Sequence, residues 1–249
     1  MSVLRMIADQ GACARRSIAL TAAMAELHSE GKVPDTLRIY RYPESVLVGR
    51  NQDIAVAADL EACRKHGVEV ARRITGGGSI YMDDGVATWD LVLSRSTADL
   101  GLFASNICSA IASALSQIGA EARFRPENDI LVGNRKVAGA SGYFDGQTLV
   151  YQGSLLFDPD FEKMAITLRL PSVRDDLVSL TAAVNRKIPY AEIALLLSQS
   201  IATVLNRSLA PEKISAEEML RSDLLFAQLT GNDDFVLHGD IGSQKVRAA

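Results

Sequence analysis

The sequence predicts an α+β fold: a mixed, largely antiparallel sheet flanked by helices. Three observations lead there. β-type runs come in groups rather than singly, around residues 37–48, 68–93 and 120–157. Helical patterns, with apolar residues at three- and four-residue steps, lie between and after those groups, and strict strand–helix–strand alternation is scarce. Apolar residues make up 48% of the 249, ample for the core of one large domain or of one domain with a small appendage.

Taken in order, Arg15 to Leu27 is a helix with Ile18, Ala22 and Ala25 on one face and Leu20, Met24 and Leu27 beside it. Pro34-Asp35 breaks it off. Leu37 to Tyr42 alternates with period two and reads as a strand with one solvated face. Val46 to Gly49 is a short buried strand, left by the polar loop Arg50-Asn51-Gln52. Asp59 to His66 ends a helix, with Gly67 behind it. Val68 to Ala71, Ile80 to Met82 and Thr88 to Leu93 are strands around a glycine-rich loop. Asp99 to Ile118 is the longest helix, carrying Phe103, Ile107, Ile111, Leu115 and Ile118 on one stripe. Ala120 to Phe124, Asp129 to Val132 and Arg135 to Ala138 are strands, the last two joined by the hairpin signal Gly133-Asn134. Gly139-Ala140-Ser141-Gly142 reads as flexible. Thr148 to Phe157 is a strand whose Gly153 indicates a bulge or a close approach. Glu162 to Leu170, Tyr190 to Leu205 and Ala216 to Leu229 are helices. Residues 1–187 are expected to form the core of one domain, completed by helices in 188–249, with a fraying polar tail from about residue 239.

Charge and composition narrow the function classes. A formal net charge of −4 supplies no global basic field for nucleic acid. No apolar run approaches a membrane span, and Met1 to Ala14 lacks the long apolar stretch of a signal peptide. Three scattered cysteines, Cys13, Cys63 and Cys108, suit reduced thiols, so a cytoplasmic location is expected. His28, His66 and His238 are too far apart for a metal pair. Several charged groups have ordinary readings: Arg15-Arg16 in a solvated first turn, Arg64-Lys65-His66 at a helix C-terminus, Asp233-Asp234 in a surface loop. Trp89 reads as core, and Asp83-Asp84 as either a Mg²⁺ site or a solvated turn.

Two stretches carry chemistry. In the first, Arg72-Arg73 runs through Ile74-Thr75 into Gly76-Gly77-Gly78-Ser79-Ile80-Tyr81-Met82-Asp83. Bare glycine amides can form an anion-binding concavity, and the two guanidinium groups would place positive charge at its rim. A tight strand-to-strand turn with surface arginines is the other reading. The spacing matches neither a Rossmann fingerprint nor a Walker A loop. In the second, Asn128-Asp129-Ile130 faces Lys136-Val137-Ala138-Gly139 across the hairpin. A partly buried lysine needs an anionic partner and could stabilise charge as it develops on a carboxylate or phosphate; an edge-strand lysine that guards against aggregation is the alternative.

With both stretches in view, the chain resembles the lipoate–protein ligase family, whose catalytic domain shares the biotin–protein ligase fold. Five motifs follow one another in order: 46–52, 72–83, 128–130, 135–139 and Gly153-Ser154-Leu155-Leu156-Phe157. The resemblance implies a two-step reaction in which lipoate and Mg-ATP give lipoyl-AMP, and a lysine of an acceptor protein domain then takes the lipoyl group; a specialised lipoate-binding protein is one candidate acceptor. It implies ATP or adenylate contacts for Arg73, Gly78, Ser79, Ile80, Tyr81, Asn128, Asp129 and Lys136. It implies lipoate contacts for Arg72, Gly76, Gly77, Lys136, Gly139 and Gly153, with Lys136 as the catalytic residue and Asp129 near the metal. Val46 and Val48 could line the acyl slot.

Departures from the family pattern are Met82-Asp83, where His-Asp is common, and Tyr151-Gln152-Gly153, where histidine is common. They leave lipoate against octanoate open. About sixty residues follow Lys187, less than the accessory domain of many relatives, so a separate accessory chain is one expectation. A cysteine-dependent octanoyl or lipoyl transferase of the same fold is the nearest rival. No cysteine follows Cys108, and none lies in residues 125–129, which favours ATP chemistry. The Gly-Arg-Gly-Arg-type loop of biotin ligases is absent. A non-catalytic relative that binds an acyl group or adenylate is the third reading.

Overall fold

The protein is described by a computed structural model covering residues 2–11, 13–94 and 99–239; the polar tail beyond residue 239 lies outside the described residues. The chain opens with β1 (Ser2–Gln10), a strand not expected from the sequence, and crosses through α1 (Ala14–Ser29) to β2 (Thr36–Arg41). Next come β3 (Ser45–Val48), the short helices α2 (Ile54–Ala57) and α3 (Leu60–Lys65), then β4 (Glu69–Arg72), β5 (Ile80–Met82) and β6 (Val86–Ser94). The long helix α4 (Leu100–Gln117) leads to β7 (Ala122–Arg125), β8 (Asp129–Val132), β9 (Arg135–Phe144) and β10 (Thr148–Leu156). The remainder is α5 (Phe161–Thr167), α6 (Val173–Asp176), α7 (Leu180–Val184), α8 (Tyr190–Val204), β11 (Arg207–Pro211), α9 (Ala216–Leu225), a π-helical turn at Phe226–Thr230 and α10 (Asp233–His238).

Eight strands form the main sheet in the order β11-β1-β2-β6-β10-β9-β8-β7, and β4-β3-β5 form a small second sheet. β1 is parallel to both β2 and β11, whereas the pairs β2–β6 and β6–β10 and the meander β10-β9-β8-β7 are antiparallel. The parallel pair β1–β2 needs a helical crossover, which α1 supplies. The expected mixed, largely antiparallel sheet flanked by helices is therefore what the chain adopts.

One face of the main sheet carries Leu37, Ile39, Trp89, Leu91, Leu149 and Leu155 into a core closed by α4 and α8. α4 has the length and hydropathy of a bilayer span, which no segment was expected to reach, but its stripe Phe103, Ile107, Ile111 and Leu115 packs into this core. The small sheet, α1, α5 and Val236 of α10 close a second core.

Several expectations are corrected. β2 has no solvated face, because α1 covers the side that carries Arg38 and Tyr40, and both are fully buried. Arg38 tolerates this through paired bonds to Asp9, 2.9 and 2.8 Å, and through stacking on the Tyr40 ring. Gly139 to Gly142 is not flexible but paired within β9. Gly153 reflects close approach and no bulge: a Cβ there would lie 1.9 Å from the Trp89 ring. Asp233-Asp234 opens a helix, and Arg15 is tied to Glu69, Asp233 and two carbonyls rather than solvated.

Candidate active site

The glycine loop leaves β4 at Arg73. Alternation along the strand turns Arg72 and Arg73 to opposite sides. The Arg73 guanidinium points inward and donates to the carbonyls of Leu47 at 3.1 Å, Gly76 at 2.9 Å and Gly78 at 2.8 Å. These bonds curl residues 74–79 around the side chain. Burial lowers the Arg73 pKa, with the nearby Tyr42 and Tyr40 acting against it; a guanidinium stays charged regardless. Among the described residues no carboxylate pairs with Arg73. Gly77 has φ +94°, and a Cβ on neighbouring Gly49 would meet the Gly77 oxygen at 2.0 Å, so the 49–52 turn and the glycine loop touch through bare backbone. The Arg50 amide donates to the Thr75 carbonyl at 3.0 Å.

Lys136 stands near the start of β9, an interior strand, so it guards no sheet edge. A register shift between Ile130 and Leu131 lets its side chain lie across Gly139, where a Cβ would meet Cε and Nζ at 2.5 Å. Nζ is 2.7 Å from an Asp129 oxygen, and Arg125 pairs with the other oxygen of that carboxylate. Burial raises the Asp129 pKa, but the bonds from Lys136 and Arg125 outweigh it and hold the carboxyl below the usual range. The Asn128 carbonyl accepts from the Ala140 amide at 3.0 Å, fixing the β8 entry against β9.

Between the glycine loop and the main sheet lies a cavity of about 290 Å³, near the lower end for small-molecule sites. Leu47, Met82, Leu156, Met164, Leu168 and Leu177 give it an apolar wall; Tyr42, Thr88, Gln152 and Ser154 give it a polar one. The polar side rests on a transverse row set by the strand register, in which Arg38, Asp90, Gln152 and Ser141 are successive neighbours on β2, β6, β10 and β9. Gln152 donates to Asp90 at 2.8 Å and accepts from the Thr75 hydroxyl at 3.0 Å, pinning the loop to the sheet. Asp90 is fully buried; burial raises its pKa, opposed by Arg38, Thr21, Gln152 and Tyr40.

Of the residues implicated by sequence, Arg73, Gly77, Gly78, Ser79, Ile80, Tyr81, Lys136, Gly139 and Gly153 line this cavity. Gly76 contributes its carbonyl to Arg73 and lies in the loop behind the lining. Asn128 and Asp129 stand one layer back, reaching the site through β9 and Lys136. Arg72, expected to contact lipoate, does not line the cavity. Its guanidinium is buried on the far side of β4, among the carbonyls of residues 49–52 and α10. Val46 and Val48 are buried in the second core, and the alternation of β3 gives the wall Leu47 instead. Asp83 is half of a turn: its carboxylate accepts the amides of Gly85 and Asp160 at 2.8 Å each, while Asp84 meets Arg41. Among the described residues no group of three or more His, Cys, Asp or Glu is placed to hold a metal. The donor set around Asp129 fits a magnesium ion only if substrate phosphates supply most ligands. Gln152, Thr75 and Tyr42 escape a sequence reading, because only strand register shows which side chains turn inward.

The family model of the lipoyl protein ligase A/B catalytic domain matches residues 13–202. Lipoate-protein ligase A subunit 1 of Thermoplasma acidophilum is 27% identical over 73% of this chain and 77% of its own length. Octanoyltransferase LipM of Kyrpidia tusciae is 26% identical over 94% and 98%. Four further relatives described as ligases are matched over only 39–54% of their own lengths. Among solved structures, a lipoate-protein ligase A bound with ATP superposes with TM-score 0.87, at 24% identity over 95% of this chain and 99% of that one. A T. acidophilum protein described as a lipoate protein ligase, with bound lipoic acid, gives 0.86 at 22% over 95% and 99%. A structure of the bipartite T. acidophilum ligase and its E2 lipoyl domain gives 0.88 at 21% over 98% and 99%. At these identities the superpositions establish the fold.

Proposed function

The chain belongs to the lipoyl protein ligase A/B catalytic-domain family, and from that premise we propose that it is an ATP-dependent lipoate–protein ligase. One observation carries the reading. Two cations, Arg73 and Lys136, line one cavity that has an apolar wall, and Arg73 has no carboxylate partner among the described residues. An acid with a long apolar chain fits the wall, and a phosphate or carboxylate fits the cations. The relatives solved with lipoic acid and with ATP support the choice of ligands.

In the proposed first step an oxygen of the lipoate carboxylate attacks the α-phosphorus of ATP. The bond to the bridging oxygen of pyrophosphate breaks, leaving lipoyl-AMP. Lys136 exchanges Asp129 for the carboxylate and α-phosphate, and Arg73 with the loop amides of residues 77–79 holds negative charge as it shifts. Magnesium, carried in with the nucleotide and next to Asp129, would screen the pyrophosphate. In the second step the ε-amine of an acceptor lysine attacks the carbonyl carbon. The amide forms, AMP leaves, and the amine loses a proton. The acceptor is a lipoyl domain, and a separate accessory chain is part of the proposal, in line with the bipartite relative. A reducing cytoplasm suits the three unpaired thiols.

The transferase reading needs a reactive cysteine at the cavity, and none of the three lines it. Cys108 is 1% exposed within α4 and bonds to the Tyr151 hydroxyl, and burial raises its pKa. Burial likewise pushes the Cys63 thiol up to about 11. Such thiols are poor nucleophiles. The test is transfer of a lipoyl group to an acceptor domain, followed by mass spectrometry, using wild type and a variant with Cys13→Ala, Cys63→Ala and Cys108→Ala. The ligase reading expects transfer that requires ATP and survives loss of the cysteines. Transfer without ATP that disappears with the cysteines would replace it by the transferase.

A further inference from the structure

Arg72 has no place in the cavity, yet its side chain is 2% exposed and joins two segments far apart in sequence. Nη1 donates to the carbonyls of Gly49, Arg50 and Gln52 at 3.0, 3.1 and 2.8 Å. Nε donates to Phe235 and Val236 at 3.1 Å each, and Nη2 to Leu237 at 3.3 Å. The second set are carbonyls of the last turn of α10, where a cation is favoured; Phe235 also accepts the Gly239 amide at 2.9 Å. α10 is held in turn by Phe235 and Val236, 3% and 1% exposed.

The first set shapes the turn at 49–52, which is the glycine loop's neighbour. Its Arg50 amide donates to Thr75, and Gly49 lies directly against Gly77. Val48, the residue before that turn, pairs with Arg72 and accepts the Arg73 amide at 2.8 Å. A continuous set of contacts therefore runs from α10 through Arg72 and the 49–52 turn to residues 75–77 over the cavity. We propose that Arg72 is a positioning residue for the reaction, with α10 as its anchor. Together they hold the glycine loop in the geometry that receives the nucleotide and acid. The nature of those ligands rests on the ligase reading; the coupling itself does not.

The test uses Arg72→Lys, Phe235→Ala and the double variant, each in the full chain. A lysine keeps the charge but cannot fan across both sets of carbonyls. The first readout needs no ligand: amide hydrogen exchange of peptides covering residues 74–79, with β6 and β10 as internal controls. Both single variants should speed exchange at 74–79 and leave the controls unchanged. The second readout is lipoate-dependent exchange of pyrophosphate into ATP. There the KM for ATP should rise about tenfold with kcat much less affected, as for a loop held out of place. The double variant should be no worse than the more affected single one, since both break one connection. Unchanged exchange at 74–79 in both single variants, or additive effects in the double, would overturn the proposal. If wild type shows no lipoate-dependent exchange even with an acceptor domain and candidate accessory chains supplied, the ligase reading fails, and hydrogen exchange alone decides the coupling.

Discussion

Gln152 holds the two halves of the site together with one amide, its nitrogen on Asp90 and its oxygen on Thr75. In Gln152→Leu the buried Asp90 loses a donor and the loop loses its tie to the sheet. An unsatisfied buried group costs roughly 1–3 kcal/mol, so urea unfolding should show a loss of that size, accompanied by a higher KM for the acid. Stability equal to wild type would mean that another group takes over the amide's role. At Gly153 the constraint is space: the Trp89 ring stands where a Cβ would go. Gly153→Ala must move β10 toward the cavity or displace the tryptophan, and overpacking of this kind costs about 1–3 kcal/mol. An unchanged melting temperature would contradict the packing. Both positions also show what can be read without a structure. A glycine inside an apolar strand announces either a bulge or a close neighbour. Nothing in the sequence announces that Gln152 turns toward the loop, because that depends on β10 pairing with β6 and β9 in one particular register.

The elements that were legible are those stabilised by their own pattern. α4 and α8 bury one stripe each, and the Gly133-Asn134 hairpin carries its own turn chemistry. β1, β11 and α10 depend on partners distant in sequence. β1 lies parallel between β2 and β11, and α10 owes its place to Arg72 and to the burial of two residues. Asp35, just before β2, is a junction of this distant kind. It accepts from His28 of α1 at 2.8 Å and from the Ser94 amide at 2.7 Å, and it pairs with Arg207 of β11 at 2.6 Å. Burial raises its pKa, but those three donors outweigh it, and the carboxyl ends well below the usual range. A depressed folded-state pKa gives stability that is complete above the unfolded value near pH 4 and fades as pH falls through the folded one. Asp35→Asn should therefore flatten the acid limb of a stability-against-pH curve measured by urea unfolding. Parallel acid limbs for variant and wild type would count against the junction.

Across the whole molecule, the last third of the chain returns to its beginning. β11 pairs with β1, α9 packs on α1, and Arg5 meets Glu218 at 2.7 Å with both side chains buried. Glu218 also closes the capping box of α9 with Ser215. Arg5 also has Glu212 at 3.3 Å, so loss of Glu218 leaves it a second carboxylate, and the cost should fall below the roughly 3–5 kcal/mol of a stranded buried charge. Glu218→Ala should lower stability by about 2–3 kcal/mol in urea unfolding through the lost paired bonds and capping box. A change under about 1 kcal/mol, the scale of an exposed pair, would show that the clamp contributes little. This closure bears on chemistry, since the same terminal segment ends in α10 and reaches Arg72 behind the glycine loop. Arg73, Lys136 and the glycine loop are the proposed adenylation site. Its most direct test is lipoate-dependent release of pyrophosphate from Mg-ATP, with wild type and Lys136→Ala side by side and octanoate as a second acid. Wild type should release pyrophosphate, and release should fall about 10²-fold or more in folded Lys136→Ala, as for loss of a charge-stabilising donor. Undiminished release in Lys136→Ala would contradict that assignment, as would no release by wild type with either acid once an acceptor domain and candidate accessory chains are supplied.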